Sequence, residues 1–117
     1  MGHIWVKAKL CVIDRSKCLY VDALVNTGAT LSVIPRKLAE ELGVSILRKD
    51  KVETGAGLIE VNRGVAIFGI KDKETISEVW VSDIVDKVLI GAVTLELLGL
   101  KVDPRTGKLE PAPLLLY

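Results

Sequence analysis

The first part of the chain shows the two-residue alternation of apolar and polar positions that is typical of β-strands. Residues from about Ile4 to Ile13 and from about Cys18 to Val25 are rich in Val, Leu and Ile, and the polar sequence Asp14 to Lys17 separates them. In the second segment the odd-numbered positions from 19 to 25 are all apolar, so one face is expected to point inward. Two such segments joined by turn residues predict an N-terminal β-hairpin.

Two short helices are predicted where the spacing of apolar residues changes. A short strand is expected at residues 31–34, and Pro35 should end it, because proline is favourable at the first position of a helix. The predicted helix runs from Pro35 to Leu42 and is closed by Gly43. A second helix is predicted for residues 93–98, which Gly99 follows.

Strand patterns dominate the middle of the chain. From Val44 onward the pattern is that of strands, and Glu53 to Leu58 places two glycines at the tip of a long hairpin that is expected to be mobile. Further strands are predicted at Val61 to Ile70 and at Thr75 to Val81, with Gly69 and Lys71 to Lys73 marking the turn between them. The chain is therefore predicted to be mostly β.

The last residues continue this pattern and end in an apolar segment. Asp103 to Gly107 is a turn signal, and a final strand is expected from Lys108. The segment Leu114 to Tyr117 is more apolar than is usual at a chain end, so something is expected to cover it. We predict a single domain that spans residues 1–117, because a chain of 117 residues has room for one hydrophobic core.

Composition and charge exclude several classes of function. Hydrophobic residues make up 50% of the chain and aromatic residues 4%, so the core must consist mainly of aliphatic side chains. The formal net charge of +1 is too small to neutralise phosphates, and no nucleic-acid partner is expected. The sequence has neither an apolar run that could span a bilayer nor the pattern of a signal peptide. We therefore expect no membrane role and a cytoplasmic location.

The two cysteines and the single histidine do not predict a metal site. Cys11 and Cys18 flank the first predicted turn and could face each other across the hairpin, but the strand register decides this. Our prediction is two reduced structural thiols. These thiols and His3 have none of the standard zinc-ligand spacings, so neither a metal nor a cofactor is expected.

One segment carries a catalytic signature. The sequence from Ala23 to Thr30, with Asn-Thr-Gly at positions 26–28, is followed by the apolar strand at 31–34 and resembles the active-site signature of retropepsin-like aspartic proteases. Asn26 stands where that family has its catalytic aspartate. Leu89-Ile90-Gly91 with its following helix resembles the family's second landmark, and the Gly55 to Gly57 hairpin lies where the family has its flap. The resemblance implies a retropepsin-like acid protease fold, a closed or partly open β-barrel with a flap hairpin and one or two short helices.

The resemblance also implies a homodimer. An aspartic protease holds two carboxylates so close together that they share one proton, and the pair activates a water for attack on the peptide carbonyl. A chain with one such signature can build the pair only with a second copy on a two-fold axis. The expected activity is that of an aspartic endopeptidase acting on peptides or proteins in an extended conformation.

The resemblance assigns a role to each neighbour of Asn26. Thr27 would hydrogen-bond to the partner's loop, and Gly28 would let the backbone approach the substrate and the catalytic pair. Ala29 and Thr30 would border the substrate groove. The alternative for the two threonines is that they only satisfy turn amides. In the flap, Gly55, Ala56 and Gly57 would close over a bound peptide and hydrogen-bond to its backbone, although an ordinary glycine-containing turn has the same pattern.

The amide at position 26 leaves three interpretations open. Asn26 cannot act as a general base, because an amide has no useful basicity near neutral pH. The chain is then an engineered inactive variant of a protease, a natural pseudoprotease that kept its groove for binding, or a scaffold in which the groove has no role. The intact surroundings of Asn26 favour the first, and Asn26→Asp is expected to restore hydrolysis.

Other polar and aromatic residues have simpler interpretations. Asp22 precedes Asn26 by four positions and points to the same side by alternation, but it is not expected to replace the catalytic aspartate. Trp5, Tyr20 and Trp80 are expected to be packing or interface groups.

Overall fold

The computed structural model describes residues 3–116, and these form a mostly β structure with two short helices. In chain order the elements are β1 (Trp5–Cys11), β2 (Cys18–Val25), β3 (Ser32–Pro35), α1 (Arg36–Leu42), β4 (Ile46–Thr54), β5 (Gly57–Ile70), β6 (Lys73–Ser82), β7 (Val88–Ile90), α2 (Ala92–Leu98), β8 (Leu100–Asp103) and β9 (Lys108–Pro111). The predicted elements are therefore present.

The main sheet closes into a barrel. Its strand order is β1-β2-β7-β3-β6-β5-β4, and β1 also pairs with β5, so that six strands form the barrel and β4 lies outside the closure. The pairs β2–β7 and β3–β6 are parallel, whereas β1–β2, β4–β5 and β5–β6 are antiparallel hairpins. The β4–β5 hairpin projects from the barrel as a two-stranded arm, and β8 and β9 form a small separate sheet.

Aliphatic side chains fill the barrel, as the composition predicts. Phe68 is fully buried and packs in a cluster of Ala, Leu, Ile and Val residues from every strand of the barrel and from both helices. Burying this apolar surface supplies the main driving force for folding. Its effect here is to fix the ends of β2, β3 and β7 relative to one another.

Both helices end where the sequence predicts, but α1 begins one residue later than predicted and α2 one residue earlier, at Ala92. Gly43 and Gly99 adopt left-handed φ values of 81° and 69°, and their N–H groups donate to carbonyls of the preceding turn. Pro35, predicted as the first helical residue, is instead the last residue of β3 and immediately precedes α1. Its fixed φ of −59° suits a strand end as well as a helix start.

The turn between β5 and β6 is tighter than predicted. Gly69 and Lys73 were predicted to mark it, but both lie inside paired strands, and Gly69 pairs with Glu74. The turn consists of Lys71 and Asp72, and Lys71 adopts a left-handed φ of 58°.

The prediction of two reduced thiols is wrong. Cys11 and Cys18 are directly opposite each other in the β1–β2 register, with their Cα atoms 4.1 Å apart, and they form a disulfide. The physical reason is the length of the turn, because residues 12–17 bring the two positions into one cross-strand pair. Adjacent strands hold such a pair within disulfide distance.

The apolar C-terminal segment is largely exposed among residues 3–116. Ala112 donates its N–H to the carbonyl of Gly99, but beyond it the side chains of Leu114, Leu115 and Leu116 are 73%, 82% and 90% exposed. Tyr117, the last residue of the predicted apolar segment, lies outside the described residues. The described residues therefore do not supply the expected cover for this segment.

Candidate active site

The loop from Asn26 to Thr30 joins β2 to β3 and forms a tight corner. Asn26 donates its N–H to the carbonyl of Ile90 on β7 at 2.9 Å, and Ala29 donates to the carbonyl of Asn26 at 3.1 Å. The side-chain Oδ1 of Asn26 accepts the N–H of Gly28 at 3.1 Å. These bonds hold the side chain of Asn26 against its own loop while its surface remains exposed.

The start of α2 supports this corner from below. The N–H groups of Ala92 and Val93 donate to the carbonyls of Ala29 and Thr30 at 2.9 and 3.1 Å, which satisfies two free amides of the first helical turn. Gly91 permits this approach, because a Cβ placed there would lie 2.5 Å from the carbonyl oxygen of Leu31. Of the twenty residue types, only glycine therefore fits at position 91, the third position of the Leu-Ile-Gly landmark, without a shift of the corner.

A chain of buried hydroxyl groups lies behind the corner. The Oγ of Ser32 accepts the N–H of Gly91 at 2.9 Å and lies 2.6 Å from the Oγ1 of Thr94, which lies 3.0 Å from the Oγ of Ser77. Ser77 in turn donates to the carbonyl of Glu78 at 3.2 Å. Because each hydroxyl has one proton, the bonds run in one direction: Ser32 donates to Thr94, and Thr94 donates to Ser77. The chain ties β3, α2 and β6 together without an unsatisfied polar atom.

A cleft of about 730 Å³ separates the corner from the β4–β5 arm. Asn26, Gly28, Ala29 and Thr30 line it on one side, and Gly55 lines it from the arm. The remaining cleft side chains are mainly aliphatic. They include Val33, Val52, Ile59, Val61, Ile84 and Val85. The structure thus brings most of the predicted site residues to one cleft.

Three predicted site residues do not line this cleft. Thr27 faces a neighbouring concavity that Ile4 and the turn between β8 and β9 also line. Ala56 and Gly57 lie at the exposed tip of the arm. Thr27 is exposed, and its hydroxyl has no hydrogen-bond partner among residues 3–116.

The tip of the arm is a tight turn in which one glycine is required. Thr54 accepts the N–H of Ala56 at 3.0 Å through its hydroxyl and donates to the carbonyl of Gly57 at 2.8 Å. Gly57 has a φ of 106°, a conformation that side chains disfavour, whereas Gly55 does not have a positive φ. No atom approaches a Cβ built on either glycine within 4 Å, so the tip is open on both sides.

A polar network lies beside the cleft, where the arm meets the barrel, and only its Trp80 lines the cleft. Asp50 on β4 accepts hydrogen bonds from the indole Nε1 of Trp80 at 2.9 Å, from Arg63 at 3.1 Å and from Arg48 at 3.1 Å. The bond from Trp80, followed by those from Arg48 and Arg63, lowers the pKa of Asp50 below its ordinary value of 3.8. Arg63 also binds both carboxylate oxygens of Glu78. The carboxylate is therefore charged at neutral pH and connects β4 with β5 and β6.

The carboxylate of Asp22 is not part of the site. Its side chain pairs with Lys7 at 2.7 Å on the outside of the β1–β2 hairpin. Glu53 is the one acidic residue among the described cleft residues, and it lies on the exposed arm. Among residues 3–116, no group of three potential metal ligands is found.

A larger concavity of about 900 Å³ lies elsewhere, along the outer face of β1. Lysine side chains from β1, from the β5–β6 turn and from the start of β9 line it together with Trp5 and Tyr20. It contains no residue of the corner or the arm tip. The smaller cleft is therefore the candidate site, because the Asn26 corner and the arm face each other there.

Sequence comparison agrees with this geometry. The sequence model of the family described as "Aspartyl protease" matches residues 17–100, and the chain belongs to this family. No curated protein sequence matches the chain significantly.

Solved structures show that the fold is retropepsin-like, as predicted. The EIAV protease in complex with an inhibitor superposes with a TM-score of 0.68 and 18% identity, over 87% of this chain and 93% of that one. A retropepsin-like aspartic protease from Rickettsia conorii gives 0.61 and 20%, over 87% and 77%. The retroviral protease-like domain of Ddi1 from Leishmania major gives 0.60 and 19%, over 95% and 89%.

Sequence reasoning missed the hydroxyl chain and the network around Asp50. Thr94 is a hydroxyl residue between the apolar Val93 and Leu95 of α2, and Ser32 interrupts an apolar strand. These two interruptions were a usable signal, since buried hydroxyl groups need partners. Nothing in the local pattern around Asp50 or Trp80 indicates their contact.

Proposed function

We propose that this chain is one subunit of a homodimeric aspartic endopeptidase and that its Asn26 form binds extended polypeptides without hydrolysing them. The observation that carries the proposal is the Asn26 corner itself. It is held by Ile90 and α2, and it faces a glycine-containing arm across an aliphatic cleft. Such an arrangement suits a stretched peptide whose backbone lies between the corner and the arm.

The dimer follows from the chemistry of the reaction. Each chain contributes one corner, so two side chains at position 26 can meet only across a two-fold axis. The hydroxyl of Thr27, exposed and without a partner in the described chain, is available to the partner's corner. The exposed Leu114 to Leu116 segment is a second surface that a partner would cover.

An aspartate at position 26 would provide the missing carboxylate. One of its oxygens would accept the N–H of Gly28, as Oδ1 of Asn26 does, and the other would face the partner's carboxylate. Two carboxylates about 3 Å apart share one proton. The ionised group takes a proton from water, whose oxygen attacks the peptide carbonyl, while the protonated group gives its proton to the carbonyl oxygen. Collapse of this intermediate releases the amine after proton transfer to its nitrogen.

Asn26 prevents the first proton transfer and leaves the rest of the corner intact. Its amide has nearly the shape of a carboxylate, but it carries no charge and accepts no proton near neutral pH. The corner, the glycine under it and the arm retain the geometry that catalysis needs. We therefore infer that only this side chain was replaced in a functional protease.

The second candidate function is a natural pseudoprotease that uses the same cleft to bind peptides. The observation that favours it is the aliphatic lining of the cleft, which serves binding whether or not hydrolysis follows. A dimerisation scaffold with no use for the cleft is the third possibility.

The deciding experiment compares Asn26→Asp with the chain as it is. We expect Asn26→Asp to cleave members of a broad peptide library, best in mildly acidic conditions where the pair holds one proton, and the unaltered chain to cleave none. Cleavage is read by mass spectrometry, and the mass in solution is recorded for both proteins. Asn26→Ala is the matched control, since it changes the same position without supplying a carboxylate.

Three other outcomes would overturn the proposal in different ways. A folded, dimeric Asn26→Asp protein that cleaves nothing refutes the enzyme. If Asn26→Asp cleaves nothing while the unaltered dimer binds extended peptides, the pseudoprotease is correct. A monomer at working concentration favours the scaffold.

A cytoplasmic location is also part of the proposal. No helix within residues 3–116 is long and apolar enough to cross a membrane. Disulfides are uncommon in the cytosol of mesophiles, so the oxidation state of the Cys11–Cys18 pair in cells tests this location. Alkylation of free thiols in rapidly quenched cells, read by mass spectrometry, measures whether this pair is oxidised in place.

A further inference from the structure

Trp80 forms part of the cleft wall and is fixed there by a hydrogen bond from its ring. We propose that Trp80 sets the size of one side-chain pocket in the cleft, so that aliphatic side chains fit and aromatic ones do not, and that Asp50 positions its ring. This inference rests on the proposed peptide-binding function and names the class of side chain that the cleft accepts.

The strand register places Trp80 among the aliphatic cleft residues. It pairs with Val33 on β3, which lies beside the corner, and with Arg63 on β5. Val61, two residues before Arg63, lies on the same face of β5 and is buried in the cleft wall. Trp80 is the one aromatic side chain among the described cleft residues, so it occupies more of this pocket than its neighbours do.

The ring is anchored at its polar edge. Its Nε1 donates to Oδ2 of Asp50 at 2.9 Å, and the side chain of Asp50 is only 16% exposed. Rotating the ring away from the cleft would break this bond and leave a half-buried carboxylate without its indole donor, which is unfavourable. The pocket wall is therefore a fixed surface.

The anchor is itself held in place by charged partners. Arg63 binds the same oxygen of Asp50 at 3.1 Å and is 20% exposed, and Arg48 binds the other oxygen. Glu78 binds Arg63 through two bonds of 3.0 and 3.3 Å, and such paired contacts fix geometry as well as charge. A change of Asp50 should thus alter the pocket through Trp80, although Asp50 itself does not line the cleft.

Asp50 also connects this pocket to the arm that covers the cleft. It lies on β4 four residues before Thr54, whose hydroxyl organises the turn at the arm's tip. The wall that contacts a substrate side chain and the strand that carries the tip therefore share one carboxylate.

The test measures which peptides the unaltered chain retains. The immobilised chain is exposed to a library of blocked hexapeptides in which each position is Ala, Val, Leu or Phe, and the bound peptides are identified by mass spectrometry. We expect one position at which Val or Leu exceeds Phe by about tenfold or more, the range that pocket size supplies. Trp80→Val should abolish or reverse this preference at that position alone.

Two further comparisons separate the pocket from general damage. Ile76→Ala truncates an exposed side chain that lies on the same strand as Trp80 but outside the cleft. This variant should therefore retain the same peptides as the unaltered chain. Asp50→Asn keeps an oxygen that can accept the indole N–H and should keep the preference, whereas Asp50→Ala should relax it. If Trp80→Val does not fold, the comparison of Asp50→Asn with Asp50→Ala decides whether the anchored ring sets the pocket.

The outcomes distinguish this inference from the function on which it rests. If the unaltered chain binds peptides and Trp80→Val or Asp50→Ala retains the same profile at every position, Trp80 does not set the pocket and the inference is wrong. If the unaltered chain binds no peptide and Asn26→Asp cleaves none, the proposed function fails and this inference fails with it.

Discussion

At the scale of single residues, the site depends on one position, Gly91, where no side chain fits without movement of the backbone. Gly91 lies so close to the corner that a methyl group would meet the backbone of Leu31 at 2.5 Å and the carbonyl oxygen of Ala29 at 2.9 Å. Both obstacles are backbone atoms of the loop that presents Asn26. The loop must move before any side chain can enter, and its hydrogen bonds to α2 oppose that movement.

Gly91→Ala should therefore destabilise the protein. We expect the free energy of unfolding to fall by about 1–3 kcal/mol, the usual cost of forcing a methyl group into packed surroundings. Urea denaturation followed by circular dichroism measures this. Gly55→Ala is the control, because a Cβ there meets nothing within 4 Å. Equal stability of the two variants would show that the corner can move away from α2 at little cost.

The sequence predicted the residues of the corner but not the side chains that hold it. Asn26 to Thr30 and Gly91 belong to compact motifs, and a motif is visible along the chain. The contact of Ser32 with Thr94 joins positions 62 residues apart, and that of Asp50 with Trp80 joins positions 30 apart. Such contacts depend on strand order and register, which local patterns do not determine.

At the scale of elements, the β1–β2 hairpin shows how register decides chemistry. Its strands and its turn were predicted, and the pairing of Cys11 with Cys18 depends on which residues oppose each other across them. A shift of one strand by a single residue would direct one sulfur to the opposite face of the sheet. The wrong prediction of free thiols came from this undetermined register and not from the hairpin itself.

Reduction of this disulfide should weaken the hairpin by a measurable amount. The bond closes a short loop, since its cysteines are seven positions apart, and loops of this size contribute about 2–3 kcal/mol. We expect the free energy of unfolding to fall by up to this amount in dithiothreitol. Cys18→Ala cannot form the bond. Its free energy of unfolding should therefore be close to that of the reduced protein and should not change when dithiothreitol is added. An unaltered protein that is equally stable with and without dithiothreitol would contradict the disulfide.

At the scale of the whole molecule, the described chain contains one corner, which is half of what the proposed homodimer requires. One cleft, one corner and one arm belong to each copy, and the surfaces that would meet a second copy are exposed in the single chain. The strands and the two helices were predictable because each element has a clear local pattern, and the barrel was implied by the family resemblance. The dimer was inferred from chemistry, and its geometry depends on residues that have no partner within one chain.

Thr27→Val tests the dimer directly. Valine has nearly the same shape but no hydroxyl, and the two-fold axis doubles the loss of a hydrogen bond that is worth about 0.5–1.5 kcal/mol. We expect roughly a tenfold weaker association, measured by sedimentation equilibrium, with the monomer fold unchanged.

Two variants complete this test. Thr75→Val removes a hydroxyl on β6 outside the cleft and should leave the association unchanged. Deletion of residues 114–117 measures separately what the apolar tail contributes. If Thr27→Val associates as tightly as the unaltered chain, the hydroxyl of Thr27 does not bridge the two corners.

The position of β4 outside the barrel closure has one more consequence. Its outer edge has no strand beside it among residues 3–116, so its amides and carbonyls could template the addition of a foreign strand. That strand is densely charged, because five of the six residues from 48 to 53 carry a charge: Arg48, Lys49, Asp50, Lys51 and Glu53. A neighbouring molecule that tried to stack there would have to strip water from these charges. The same strand can therefore remain free to cover a peptide without inviting fibrils.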